Sequence, residues 1–331
     1  MTSRYAAVHQ STNGPGDARP TALQIIKDEQ LEGKLSDKVI LITGCSSGLG
    51  VETARALYVT GATLYLTVRD VEKAKNNLGD IAQSPRAHLL KLDLNSLASV
   101  RACAEEFKTK SKTLNILIEN AGVMACPEDR TEDGFEVQFG SNHLAHFLLF
   151  YLLKPVMLAS SSPDFNSRVA IVSSAAHRMS SINFSNINLE GEYDPWKAYG
   201  QSKTASIWTA NEIDRRYASQ GLHAFSLHPG GIQTDLLRHV PGDQKNAWDG
   251  DEKLARYWKS PEQGAATSVW AAVAKRLEGQ GGKYLEDCQI ADVYDSSKGT
   301  WAPGHAEWAF DAAGQMQLWI ESLSMLKLAD E

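Results

Sequence analysis

Residues 38–54 read Lys38-Val39-Ile40-Leu41-Ile42-Thr43-Gly44-Cys45-Ser46-Ser47-Gly48-Leu49-Gly50-Val51-Glu52-Thr53-Ala54, an apolar run that enters a glycine-spaced turn and leaves it as a helix. The run is continuous rather than alternating, which suits a strand buried on both faces. Gly44 permits the tight turn, Gly48 removes a side chain where a pyrophosphate would approach, and Gly50 lets the helix pack close to the strand. The helix then offers free N–H groups and the positive end of its dipole to an anion. Such a turn alone is weak evidence, and its position between a buried strand and a helix gives it meaning. Gly44, Ser46, Ser47, Gly48 and Leu49 are therefore candidate dinucleotide-phosphate contacts.

Further buried-strand runs follow at Ala62–Val68, Ala87–Leu92, Leu114–Ile118, Arg168–Ser173 and Leu222–His228. Helical patterns lie between them at Leu49–Thr60, Leu97–Lys108, Gly134–Leu158 and Ala198–Tyr217. This alternation predicts an α/β fold, a Rossmann-type doubly wound parallel sheet. One domain over 36–331 accounts for it, with an N-terminal extension over 1–35 and a C-terminal substrate lid at about 235–260. Residues 1 to about 20 read as disordered, and 21–35 as a docking helix through Leu23, Ile25, Ile26 and Leu31. The zone after about 235 reads as looser and rich in tryptophan.

The ends of these strands are where ligands of open α/β sheets bind. Arg69 follows the second strand, where a carboxylate would hold the ribose hydroxyls of NAD, and an arginine suits the 2′-phosphate of NADP(H). It reads otherwise as a solvated arginine paired with Asp70 or Glu72. Asp93 and Leu94 end the third strand, with Asp93 equally able to cap the helix near Ser96. Asn120, Ala121 and Gly122 end the fourth.

Three Tyr-x-x-x-Lys pairs occur, Tyr193 with Lys197, Tyr199 with Lys203 and Tyr294 with Lys298. Residues four apart on a helix share a face, so such a pair can reach one substrate oxygen and one ribose together. Pro195 interrupts the first pair, and Gly299 follows the third without any apolar helical pattern. The second continues into a long periodic helix and is preceded by a strand ending Ser173-Ser174, which selects Tyr199 and Lys203.

Composition sets bounds on partners. The chain has 331 residues, 43% hydrophobic and 22% charged, which is ordinary globular composition. A net charge of -7 with scattered basic residues argues against nucleic acid. Cys45, Cys103, Cys126 and Cys288 show no metal-type spacing, read as packing thiols, and fit a reducing, cytoplasmic setting. No secretion signal is evident in residues 1–20, and the longest apolar run, Leu144–Leu158, is broken by Lys154 and Pro155 and too short to cross a bilayer. His143 and His146 lack a carboxylate or cysteine partner spaced for a metal and read as packing residues.

Together these motifs resemble the short-chain dehydrogenase/reductase family over roughly residues 36–235. They are the Thr43–Gly50 turn, Asn120-Ala121-Gly122, Asn142, Ser174, Tyr199 with Lys203, and Pro229-Gly230. The Asn142–Phe147 and Ser173–His177 stretches look like the retinol dehydrogenase and WW-domain oxidoreductase branch, with similar proteins among fungal natural-product tailoring enzymes. The resemblance implies that Tyr199 transfers a proton, Ser174 holds the substrate oxygen, and Lys203 binds the nicotinamide ribose and lowers the tyrosine pKa. It implies that Asn142 anchors a water, and that Pro229, Ile232 and Thr234 close over the nicotinamide. By the same resemblance the helix carrying Phe147, Leu148, Leu149 and Phe150 would form a homo-oligomer face. Glu119 departs from the family pattern, which has asparagine there.

The expected activity is hydride transfer between NADP(H) and a ketone, aldehyde or alcohol on an apolar small molecule. A non-catalytic NADP(H)-binding scaffold and a lyase or cyclase on the same fold are the other readings, and the fold alone does not choose a substrate. All eight tryptophans lie at or after Trp196, as core packing or as a substrate wall.

Overall fold

The computed structural model describes residues 4–330. Its sheet contains β1 (Val39–Thr43), β2 (Thr63–Val68), β3 (Ala87–Lys91), β4 (Ile116–Glu119), β5 (Ser167–Val172), β6 (Leu222–His228), β7 (Lys283–Glu286) and β8 (Gln289–Ile290). The order is β3-β2-β1-β4-β5-β6-β7-β8, with β8 alone antiparallel. The order reverses between β1 and β4, so the carboxyl ends of these two strands open the crevice that such sheets use for ligands.

Around the sheet run α1 (Ala6–Gln10), α2 (Ala22–Asp28), α3 (Leu49–Tyr58), α4 (Val71–Leu78), α5 (Leu97–Lys110), α6 (Val137–Phe139) and α7 (Ala145–Ser160). They are followed by α8 (Pro195–Tyr217), α9 (Gly242–Asp249), α10 (Glu252–Tyr257), α11 (Pro261–Gly264), α12 (Ala266–Val273) and α13 (Ala312–Leu326). Side chains alternate along each strand and feed two cores. Ile40 and Ile42 meet α2, α3 and α12 on one face, while Leu41 meets α5, α7, α8 and α13 on the other.

Four expectations are corrected. The disorder expected of residues 1–20 is not found over 4–20, because that segment has partners on the body: Tyr5 is buried in the core and Arg19 is only 3% exposed. The helix expected over Gly134–Leu158 begins at Val137 and widens into a π turn at Gly140–Leu144 before α7. Val137–Ser160 is then 24 residues long, enough by length and composition to cross a membrane, and 61% of its apolar window is buried inside the fold. The face expected to join a second copy is covered by the chain's own α13, where Trp319 meets Phe147 at 4.8 Å between ring centres, and Phe147, Leu148, Leu149 and Phe150 are all buried.

The region after 235 is more ordered than its composition suggests. It adds β7 to the parallel sheet, and α12 and α13 to opposite faces. Every residue of α12 is buried, so it carries no amphipathic period to read.

Candidate active site

The turn after β1 has the shape its glycines require. Gly44 has φ +77°, and a Cβ there would lie 2.8 Å from the Cβ of Ala121. A Cβ on Gly50 would collide with the carbonyl oxygen of Gly44. Gly48 precedes α3 without any side-chain cap, leaving the amino end of that helix open to the crevice. Thr43 ties the two strand ends together: its Oγ1 accepts from the backbone N–H of Asn120 at 2.9 Å and of Ala121 at 3.0 Å. Asn120 Nδ2 donates back to Thr43 O at 2.9 Å.

These elements border one cavity of about 1350 Å³. All the candidate cofactor contacts line it: Gly44, Ser46, Ser47, Gly48, Leu49, Arg69, Asp93, Leu94, Asn120, Ala121, Gly122, Tyr199, Lys203, Pro229, Ile232 and Thr234. Ser174 lines it as well, whereas Asn142 sits behind the wall. Arg69 is exposed at its rim. The acidic neighbours of Arg69 are otherwise engaged, Asp70 capping α4 through Lys73 N–H at 3.0 Å and Glu72 pairing with Lys75 at 2.9 Å. Asp93 does not cap α5; its carboxylate accepts from Asn95 N–H at 3.0 Å, and Asp133 takes the Leu97 N–H.

The reacting end is built on β5 and α8. Asp194 caps α8, accepting from the N–H of Trp196 at 3.0 Å and Lys197 at 2.7 Å, with Pro195 in the first turn where its missing N–H costs nothing. Tyr193 is therefore outside the helix, donating to Cys126 O at 2.8 Å, and Lys197 pairs with Glu192. Tyr199 and Lys203 lie a turn apart inside α8, both buried. Burial pushes the Tyr199 phenol up to about 12, and the nearby Ser174 hydroxyl draws it down. Lys203 Nζ donates to Val172 O at 2.9 Å and lies 5.6 Å from the centre of the Tyr199 ring. Burial lowers its ammonium to about 8. In this arrangement desolvation dominates the Tyr199 pKa.

Asn142 occupies the π turn. Its Oδ1 accepts from Val123 N–H at 2.8 Å, and its Nδ2 donates to Val123 O at 2.9 Å and Ser202 Oγ at 3.0 Å, joining the strand-end loop to α8. His146 does more than pack: Nδ1 lies 3.1 Å from Asn142 O and Nε2 lies 2.9 Å from Thr43 Oγ1. His143 bonds Ser322 Oγ at 2.8 Å. Among the described residues no cluster of His, Cys, Asp and Glu could hold a metal ion, and no disulfide is formed.

The tryptophans divide. Trp208, Trp270 and Trp319 are core residues, while Trp196, Trp248, Trp258 and Trp301 line the cavity. Tyr257 and Tyr294 join that wall, Tyr257 stacked on Trp301 at 5.6 Å and Tyr294 under the Arg178 guanidinium at 4.0 Å. Tyr294 and Lys298 share no helix, since Lys298 ends a 3-10 turn over Ser296–Lys298 that Tyr294 precedes. The place of Tyr294 in the wall comes from a tertiary contact, the only signal that could have found it.

A family model described as short chain dehydrogenase matches residues 38–245. The short-chain dehydrogenase/reductase prx1 of Penicillium roqueforti is 53% identical over 99% of this chain and 96% of its own length. Human retinol dehydrogenase 11 is 40% identical over 78% of this chain and 80% of its own. Among solved structures, an uncharacterized protein from Mycobacterium Paratuberculosis superposes with a TM-score of 0.68 at 30% identity, covering 94% of this chain and 98% of that one.

Proposed function

The chain belongs to the short-chain dehydrogenase/reductase family, and from that premise we propose that it is an NADP(H)-dependent reductase or dehydrogenase acting on a carbonyl or alcohol of an apolar small molecule, in natural-product tailoring. One observation carries the reading: Tyr199, Ser174 and Lys203 line the same cavity as the glycine turn. The cavity fits a dinucleotide by its chemistry. Side-chain-free positions and an uncapped helix end suit the pyrophosphate, and Arg69 at the rim suits a 2′-phosphate. Lys203, with Asn120, Ala121 and Gly122, would hold the nicotinamide riboside. When bound, the nicotinamide supplies or accepts hydride.

The chain's own residues move the proton. Tyr199, a phenol protonated at neutral pH, donates its proton to the carbonyl oxygen in the reducing direction. Ser174 donates a hydrogen bond to that oxygen as charge develops on it. Lys203, opposite the phenol ring, favours the phenolate that results. The presence of Asn142, Ser174, Tyr199 and Lys203 together supports turnover over a silent scaffold. The aromatic wall supports an apolar substrate, since rings of Trp and Tyr bind flat hydrocarbon surfaces and offer few charges.

The test is NADPH oxidation by the purified protein against a panel of apolar ketones and aldehydes, with product mass. The reading predicts NADPH consumption matched by products two hydrogens heavier. Products of unchanged mass would point to a lyase or cyclase, and no consumption with any carbonyl would overturn the redox reading.

A further inference from the structure

The aromatic wall is carried by a segment with little packing of its own. The helix α9 has no buried residue, and α10 buries only Leu254. Isolated helices this short are not stable in water, so something outside must hold them. Tyr257 and Trp258, at and just past the carboxyl end of α10, line the cavity. They press so closely on the loop after β6 that a Cβ on Gly231 would lie 2.9 Å from the Tyr257 ring and 3.0 Å from that of Trp258.

The backs of these residues are held from the N-terminal extension. Arg19 donates from Nη1 to Tyr257 O at 2.8 Å and from Nη2 to Trp258 O at 2.6 Å, with Arg256 O at 3.4 Å. The same guanidinium binds Gly14 O at 3.1 Å, and its Nε donates to Asp17 at 2.8 Å. Gly14 N–H adds a bond to Arg256 O at 3.0 Å. Terminal carbonyls of a helix lack partners within it and carry its negative dipole end, so a buried guanidinium satisfies them both as donor and as charge. Gln263 in α11 closes the other side, donating to Asp17 O at 3.1 Å and Arg19 O at 3.0 Å, and accepting from Gly16 N–H at 2.9 Å. The extension is itself anchored, since Ile25 and Ile26 of α2 are fully buried against the body.

We propose that Arg19 is a positioning residue for the substrate wall, so that the N-terminal extension determines which bulky apolar carbonyl compounds the site accepts. This rests on the reading of the site as a carbonyl reductase. Arg19 touches no reacting atom. It sets where Tyr257 and Trp258 stand, and through them the size and shape of the space beyond Tyr199. A small aldehyde that does not reach the wall is indifferent to it.

The test pairs Arg19→Met, which keeps length and removes the donors, with Arg19→Lys, which keeps the charge and loses the fork. Amide hydrogen exchange is followed over residues 250–260, alongside KM and kcat for a fused-ring ketone and for a short aliphatic aldehyde. Loss of charged hydrogen bonds predicts exchange in that segment and KM for the bulky ketone rising about tenfold or more in Arg19→Met, with partial recovery in Arg19→Lys. Exchange in β1–β6, NADPH affinity and turnover of the small aldehyde should stay at wild-type levels. Unchanged exchange over 250–260, or equal loss on both substrates, would overturn the proposal. Should Arg19→Met fail to fold, Arg19→Lys carries the same comparison. Exchange needs no turnover, so a wild-type protein inactive on every carbonyl would defeat the reductase reading while the link from Arg19 to the wall was still decided.

Discussion

Thr43 Oγ1 lies 2.9 Å from Nε2 of His146, joining the end of β1 to the bend that carries Asn142. Because that oxygen already accepts from two backbone N–H groups, its own proton points to Nε2, and the Nδ1–H of His146 donates to Asn142 O. Burial keeps the imidazole at about 4, hence neutral at working pH. The histidine thus couples the cofactor turn to the reacting helix. His146→Leu should leave the Thr43 hydroxyl proton without its acceptor, remove the bond to Asn142 O and cost about 1–3 kcal/mol of stability. Its kcat should fall more than its KM rises, as read from urea midpoints and steady-state kinetics.

Glu119 is buried at the end of β4 with no partner for Oε1, and burial raises its carboxyl from 4.5 to about 8. Between those values the folded chain keeps a proton that the unfolded chain has lost, so stability falls as pH rises through this window and levels off above it. Glu119→Gln should therefore be more stable than wild type at neutral pH, and the difference should shrink toward pH 4.5. Urea midpoints across that range test it.

Lys203 gives the opposite slope. Its pKa falls from 10.5 to about 8 on folding, so below the lower value a charged ammonium is held in a site that disfavours it, and stability is regained as pH rises through the interval. The interval corresponds to a penalty of about 3 kcal/mol. Lys203→Met should lose activity yet melt higher than wild type at pH 7, with the gap closing as pH rises from 8 to 10.5.

Arg69 stands at the cavity rim, and on the proposed reading it meets the 2′-phosphate of NADP(H). Losing charge-assisted bonds to a phosphate costs about 1.5–3 kcal/mol. Arg69→Ala should therefore weaken NADPH binding about 10–100-fold while leaving NADH affinity near its original value. Fluorescence titration with both cofactors checks the ratio.

The parts of this fold that were legible in the sequence are those whose signal is local. Continuous apolar runs marked six strands within a residue or two, and the spacing of Gly44, Gly48 and Gly50 marked the crevice. Pro195 separated Tyr199 from Tyr193 because a proline opens a helix more readily than it continues one. What stayed hidden depends on contacts across the chain. Nothing near Arg19 announces that Tyr257 and Trp258 lie beside it, 238 and 239 residues on. The role of His146 requires Thr43 to be close, and the polar composition of residues 4–20 conceals the contacts that Tyr5 and Arg19 make with the body.

On the proposed reading Tyr199 transfers the proton. Tyr199→Phe removes one hydroxyl from a buried ring, and NADPH oxidation with an accepted carbonyl, measured beside NADPH affinity, tests it most directly. Turnover should fall about 10²–10⁴-fold with cofactor binding intact. Near-wild-type turnover in that variant would contradict it.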